Sequence, residues 1–190
     1  MSRSLESYAD SIFRLMPCGV AYYAMLAGGC FRSFYDNTPV KDYDLFFSSH
    51  MDWEAAVAAF RDDPDFIETT KPGEGGYPSF VDKHGVPFNV IGFRFHTCLS
   101  VLAESFDFRC CAMAAWLASE ESVVVYAVPG AVEDATSKVL NFQKHQHIDR
   151  TSRRAGKYID TYGYAPGPGW QAGLDICRNT PRGEEGAYTG

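Results

Sequence analysis

At 190 residues, with 46% hydrophobic and 15% aromatic side chains, the chain can fill one well-packed core, is too short for two comfortable domains, and is not disordered throughout. Seventeen basic against 24 acidic residues give a formal charge of −7, which provides no global attraction for a nucleic-acid backbone and leaves only local contact. Six cysteines without zinc-type spacing, no apolar signal core in MSRSLESYAD and no apolar run of membrane-spanning length predict a reduced, cytoplasmic protein that makes no use of a membrane.

The predicted elements form a mixed α/β (α+β) domain, a small sheet flanked by helices. Leu5, Tyr8, Ile12 and Leu15 recur at helical spacing behind Ser4 and stop at Pro17, so the chain opens on an amphipathic helix. The apolar run GVAYYAML reads as a strand leading to Gly28 and Gly29. Lys41 to Phe47 alternate, with Tyr43, Leu45 and Phe47 on one face and Asp42, Asp44 and Phe46 on the other. MDWEAAVAAF predicts a helix with Trp53, Val57 and Phe60 on one side, and DFIETT returns to extended structure. Two apolar runs around DKHG predict a hairpin with Pro87 at an edge or a strand start.

DFRCCAMAAWLAS is alanine-rich and has no breaker, which predicts a buried helix holding Cys110 and Cys111 as packing residues; SVVVYAV then reads as a strand. The segment from Ser137 to Tyr164 reads as helical and increasingly basic, with His145 and His147 on different faces and therefore no metal pair. Beyond it, glycine and proline predict a loose tail or a segment wrapped on the domain, in which Trp170, Leu174 and Ile176 anchor to the core, to a partner or to a second copy. The expected organisation is residues 1–130 as the main domain, 131–164 as a helical extension and 165–190 as the tail.

The stretch GGCFRSFYDNTPVKDYDLFF carries the chemistry. Asp42 and Asp44, two apart on a strand, point the same way, with Cβ atoms roughly 6 to 7 Å apart. Their repulsion is relieved by a divalent cation, and magnesium favours a few carboxylate oxygens plus the phosphates of a nucleotide. Gly28 and Gly29 let the backbone approach a triphosphate without Cβ interference, and a helix starting after them aims N–H groups at it. Arg32 is placed to reach the same anion. Asp-x-Asp or Gly-Gly alone also fits an ordinary solvated turn; their combination is far less common.

With this stretch the sequence resembles the polymerase-β-like nucleotidyltransferases, in particular the head domain of CCA-adding tRNA nucleotidyltransferases and bacterial poly(A) polymerases. Gly28, Gly29, Cys30, Phe31, Arg32, Pro39, Lys41, Asp42, Asp44 and Leu45 follow that pattern without a gap. Asp107, Phe108, Ala112, Met113 and Ala114 resemble the family's ribose-contacting segment, Gly130 to Asp134 its Gly-Gly-x-x-Asp turn, and Arg154, Ala155, Lys157, Tyr158, Gly163 and Tyr164 the helix opening its neck. The resemblance covers about residues 5 to 164 and implies transfer of a nucleoside monophosphate from an NTP to a hydroxyl of an RNA 3′ end, a protein or a small molecule. It implies Asp42 and Asp44 as ligands of Mg2+ or Mn2+, and Gly28, Gly29, Arg32, Lys41, Asp107 and Arg154 as nucleotide-binding residues.

This chain departs from the family in several places. Asn89 stands where a third acidic residue is expected, with Arg94 retained; Asp82 and Glu104 are candidate substitutes. Phe106 replaces an arginine before Asp107, and Cys111 an asparagine after Phe108. Asp149 and Arg153 miss the spacing of the family's base-reading residues by one position and read as a solvated helix face. The resemblance ends where the family's tRNA-gripping domains begin, so a full CCA-adding enzyme is not expected. Two outcomes stay open, an active transferase and a transferase fold that binds nucleotide, RNA or a protein partner without catalysis.

Overall fold

The structure, a computed structural model, describes residues 4–70 and 77–181. Helix α1 (Leu5–Phe13) starts at Ser4, whose side chain accepts from the Ser7 N–H, and buries Leu5, Tyr8, Ile12 and Phe13. It ends short of Pro17. The run GVAYYAML divides into a 3₁₀ turn (Val20–Tyr22) and strand β1 (Ala24–Ala27), so only its second half is extended. Helix α2 (Gly29–Asp36) follows and closes on Asn37 in the left-handed region. Strand β2 (Tyr43–Phe47), helix α3 (His50–Asp62) capped by Ser49, and strand β3 (Phe66–Glu68) match the expected order. Strands β4 (Ser79–Asp82) and β5 (Pro87–Phe95) form the expected hairpin, with Pro87 as the first residue of its strand.

After helix α4 (Leu99–Glu104) the structure corrects the sequence reading. DFRCCAMAAWLAS is not a helix: a 3₁₀ turn (Arg109–Cys111) leads into strand β6 (Met113–Ser119), which turns back as β7 (Ser122–Ala127). Alanine's helix preference is below about 1 kcal/mol per residue, and pairing with β1 on one edge and β7 on the other outweighs it. Helix α5 (Ala131–Ser137) and the short strand β8 (Val139–Leu140) precede an irregular segment, so the predicted long helix from 137 to 164 is confined to α6 (Ile148–Gly156) and a π-helical turn (Lys157–Thr161). His145 and His147 lie before α6 rather than within it, and His147 caps it. Strand β9 (Ala165–Pro166) pairs with β8.

The tail also differs from expectation. Helix α7 (Trp170–Asn179) forms within it and begins after Gly169, which takes φ 77°. Trp170 stacks on Phe142, ring centroids 4.8 Å apart, and Gly173 is required because any Cβ there would collide with the Phe142 ring. Ile176 is exposed, so Trp170 and Cys177 hold the helix. The part of the predicted tail from 182 on lies outside the described residues.

The main sheet has seven strands in the order β3-β4-β5-β2-β1-β6-β7. Strands β2 and β5 run parallel at its centre and the other pairings are antiparallel. Leu26, Leu45, Phe47, Phe88 and Val90 pack on one side with α1 and α3; Met25, Phe46 and Ile91 pack on the other with α4. Burying each phenylalanine of this core contributes about 1.5–3 kcal/mol, which fixes β2 and β5 rigidly beneath the site they carry.

Candidate active site

A hollow of about 260 Å3 opens at the edge of the sheet where β1 ends and β2 and β5 begin. Strand β1 ends at Ala27, and Gly28 turns the chain with φ 85° and ψ −129°, a conformation open to glycine and strained for other residues. A Cβ on Gly28 would sit 2.8 Å from the Phe106 ring, whereas one on Gly29 would meet nothing within 4 Å. Gly28 is thus demanded by the fold, and Gly29 leaves open space where α2 begins with its first N–H groups unpaired within the helix.

Asp42 and Asp44 line this hollow, with Lys41 Nζ 3.9 Å from Asp42 Oδ2. Burial, then the Asp42 charge, pushes the Asp44 carboxyl up to about 6, against the lowering effect of Asn89, Arg154 and Lys41. The strand register sets Asn89 directly beside Asp44, the place foreseen for a third carboxylate. Its Nδ2 donates to Asp44 Oδ1 at 2.8 Å, and its Oδ1 accepts from Ser79 Oγ at 2.8 Å. Neither suggested substitute reaches the hollow: Asp82 accepts the His84 and Val86 N–H groups of the hairpin turn, and Glu104 accepts from the Tyr126 hydroxyl. Tyr77, which sequence reasoning missed, also lines the hollow; burial and the two aspartate charges push its phenol up to about 12.

The opposite wall is basic. Arg32 is 4% exposed, donates to Asp36 Oδ2 and Ser33 Oγ at 2.8 Å each, and lays its guanidinium 4.0 Å over the Tyr162 ring. Its buried Nε has no hydrogen-bond partner; leaving a buried donor unmet costs about 1–3 kcal/mol, which a bound anion would offset. Asp107 is buried beneath α6, with Arg154 Nε at 2.8 Å and Arg150 Nε at 3.5 Å. Of the residues expected to bind nucleotide, Gly29, Arg32, Lys41 and Arg154 border the hollow, while Gly28 builds its turn and Asp107 lies behind Arg154 in an adjoining hollow. Asp149 is exposed beside His147, 3.5 Å away.

A scan of protein families matches residues 2–138 to the Gabija anti-defense 2 (Gad2) family. The chain belongs to the Gad2 family. No curated protein matches its sequence. Among solved structures this Gad2 member is similar to the Thermotoga maritima CCA-adding enzyme complexed with tRNA, at TM-score 0.61 and 18% identity over 88% of this chain and 41% of that one. It is similar to a CCA-adding enzyme in complex with ATP, at 0.65 and 17% over 90% and 42%, and to a tRNA-processing enzyme in an apo form, at 0.62 and 19% over 94% and 49%. The Gad2 chain therefore spans less than half the length of these relatives, and what it shares with them is the nucleotidyltransferase fold, as the sequence resemblance implies.

Among the described residues no group of three or more His, Cys, Asp and Glu is arranged to hold a metal ion. Asp42 and Asp44 form a pair; burial first and then the Asp42 charge raise the Asp44 carboxyl, and a cation would neutralise the pair. Magnesium commonly needs only one or two protein carboxylates when phosphate oxygens and water complete its shell, so the pair fits a cation shared with a nucleotide.

Other residues of the hollow lie outside the stretch GGCFRSFYDNTPVKDYDLFF: Phe106, Cys111, Lys157, Tyr158 and Tyr162. The Cys111 thiol lies 4.0 Å from Cys110 Sγ and 2.9 Å from the Tyr158 hydroxyl. Hydrogen bonding with Cys110 and Tyr158 and the charges of Arg32 and Arg154 draw it down to about 7 against the opposing effect of burial.

Proposed function

We propose that this Gad2-family chain is a minimal nucleotidyltransferase that moves a nucleoside monophosphate from an NTP to an acceptor hydroxyl. The observation that carries the reading is the pairing of Asp42 and Asp44 on the rim of one hollow with the glycine turn and the start of α2. Gly29 leaves room for the triphosphate, whose oxygens accept from the first N–H groups of α2, from Arg32 and from Lys41. Asp42 and Asp44 would hold a divalent cation such as Mg2+, which supplies charge neutralisation at the phosphate oxygens. The acceptor oxygen bonds to the α-phosphorus as the bond to pyrophosphate breaks. The hydroxyl proton passes to the Asp44 carboxylate, which stands at the hollow that the acceptor must reach. Positioning supplies much of the rate, as in other phosphoryl transfers.

The description of the matched family, Gabija anti-defense 2, supports an anti-defence role towards Gabija for such a reaction. ATP and tRNA stand in complexes of the solved relatives, which supports NTP as donor and keeps RNA among the acceptors, beside proteins and small molecules. Asn89, an amide donor where a carboxylate was expected, favours one rival reading, a fold that binds NTP without turning it over. Incubation with labelled NTPs and Mg2+ separates the two. The expected result is pyrophosphate release that falls by about 10³-fold or more in Asp42→Asn/Asp44→Asn; equal release from both proteins would sink the assignment.

A further inference from the structure

Beyond Phe106, whose ring borders both spaces, the sheet opens a second, smaller hollow of about 60 Å3. Asp44 lines both hollows. Arg94 and His96 enter the second one because β5 breaks register against β2: Leu45 faces Val90, yet Phe47 faces Phe95, and such a bulge re-aims the residues that follow it. The His96 N–H donates to the Phe47 carbonyl, which fixes the strand end there. Arg150 and Arg154 arrive from α6, one turn apart.

Three guanidiniums, Arg94, Arg150 and Arg154, therefore meet two carboxylates, Asp44 and Asp107, in one narrow space, a surplus of positive charge within a chain of formal charge −7. His96 is 7% exposed and stands edge-on to Phe46, and its buried Nε2 has no hydrogen-bond partner. After burial, the charges of Arg94 and Lys144 lower the imidazole's pKa, so the ring already feels a positive field. Arginine forks beside an unmet ring nitrogen form a donor set suited to phosphate oxygens.

We propose that this hollow is a phosphate subsite for the acceptor, in which Arg94 and His96 hold the phosphate of a small phosphorylated molecule and so bring its hydroxyl past Phe106 to Asp44. The acceptor half of this assignment rests on the transfer reading above. The acceptor oxygen gains the bond to the α-phosphorus, pyrophosphate leaves, the hydroxyl proton passes to Asp44, and the phosphate in the subsite is untouched. Size and charge select a small molecule: the hollow is narrow, and a net charge of −7 gives no continuous track for a polyanionic strand.

The test is a calorimetric titration of ribose 5-phosphate into the full chain, which needs no turnover. Arg94 is exposed, so Arg94→Glu keeps the fold, verified by an unchanged melting temperature. Saturable binding is expected, at least about tenfold weaker in Arg94→Glu and about threefold weaker in His96→Gln, with no binding of ribose. Binding indifferent to Arg94→Glu would overturn the subsite, as would complete displacement by ATP, which would put the phosphate in the first hollow. A single-stranded RNA decamer that binds more than tenfold tighter through Arg94 would overturn the small acceptor. Arg94-dependent binding in a chain that releases no pyrophosphate would remove the transfer reading and leave the subsite; pyrophosphate release with binding indifferent to Arg94 would do the reverse.

Discussion

The two walls of the first hollow handle charge in opposite ways. On the basic wall each guanidinium has a carboxylate beside it, the buried Arg32 with Asp36 and the part-exposed Arg154 with Asp107, at 2.8 Å in both cases. On the acidic wall burial and the Asp42 charge drive the Asp44 carboxyl up to about 6, and the Asn89 amide and more distant cations compensate it only in part. The paired charges of the basic wall are largely balanced before any ligand binds, with the Arg32 Nε left over for one. Unmatched charge at the end of a rigid strand is maintained against its own cost, and it marks where a ligand is to add the missing opposite charge.

That contrast is open to attack from either wall. The largest effect is expected at Asp107: Asp107→Asn removes the buried carboxylate that pairs with Arg150 and Arg154 and lowers unfolding free energy by about 3 kcal/mol, read by denaturant melts, with faster amide exchange in α6. Asp44→Asn is expected to do the opposite. Because the folded-state pKa of Asp44, about 6, lies above its ordinary 3.8, the folded chain is favoured while the carboxyl is protonated, and stability declines as pH climbs through that window. The asparagine variant is expected to be more stable than wild type at pH 7.5 by about 1–3 kcal/mol and to lose this pH dependence. A variant less stable than wild type at pH 7.5 would break the comparison.

Asn89→Asp sharpens it by adding a second unmatched neighbour. Its expected signature is a lower melting temperature without metal and about tenfold tighter Mg2+ binding, roughly 1.4 kcal/mol, by titration. The smallest change in stability belongs to Gly29→Ala, within about 0.5 kcal/mol, since the new methyl meets nothing. The same methyl intrudes on the triphosphate, so NTP affinity is expected to fall while the melting temperature holds.

The site core was legible because its cues are local. A positive-φ glycine, a helix start and a period-two alternation are each written within a few residues, and GGCFRSFYDNTPVKDYDLFF carries all three. Asn89 was placed correctly because β5 pairs with β2 in the register the family pattern implies. The strand β6 was hidden because its cue is not local: Ala114 and Ala115 are small since both sheet faces are covered there, by α4 on one side and the main core on the other, not because they wind a helix. Helix α7 was hidden behind its glycines, one of which caps it and one of which clears the Phe142 ring. Tyr158 and Tyr162, four apart behind a basic helix, left a faint trace in KYIDTY. Phe106 showed only as the residue in place of an arginine before Asp107, and Tyr77 left no trace, since a distant segment brings it to the hollow.

The most direct measurement is calorimetry of ATP binding with and without Mg2+, for wild type and Asp42→Asn/Asp44→Asn side by side. Charge left unmatched to receive a metal-bound triphosphate predicts saturable binding by wild type that strengthens at least about tenfold with Mg2+, and no such strengthening in the double variant. ATP binding that is equal in the two proteins and indifferent to Mg2+ would contradict it.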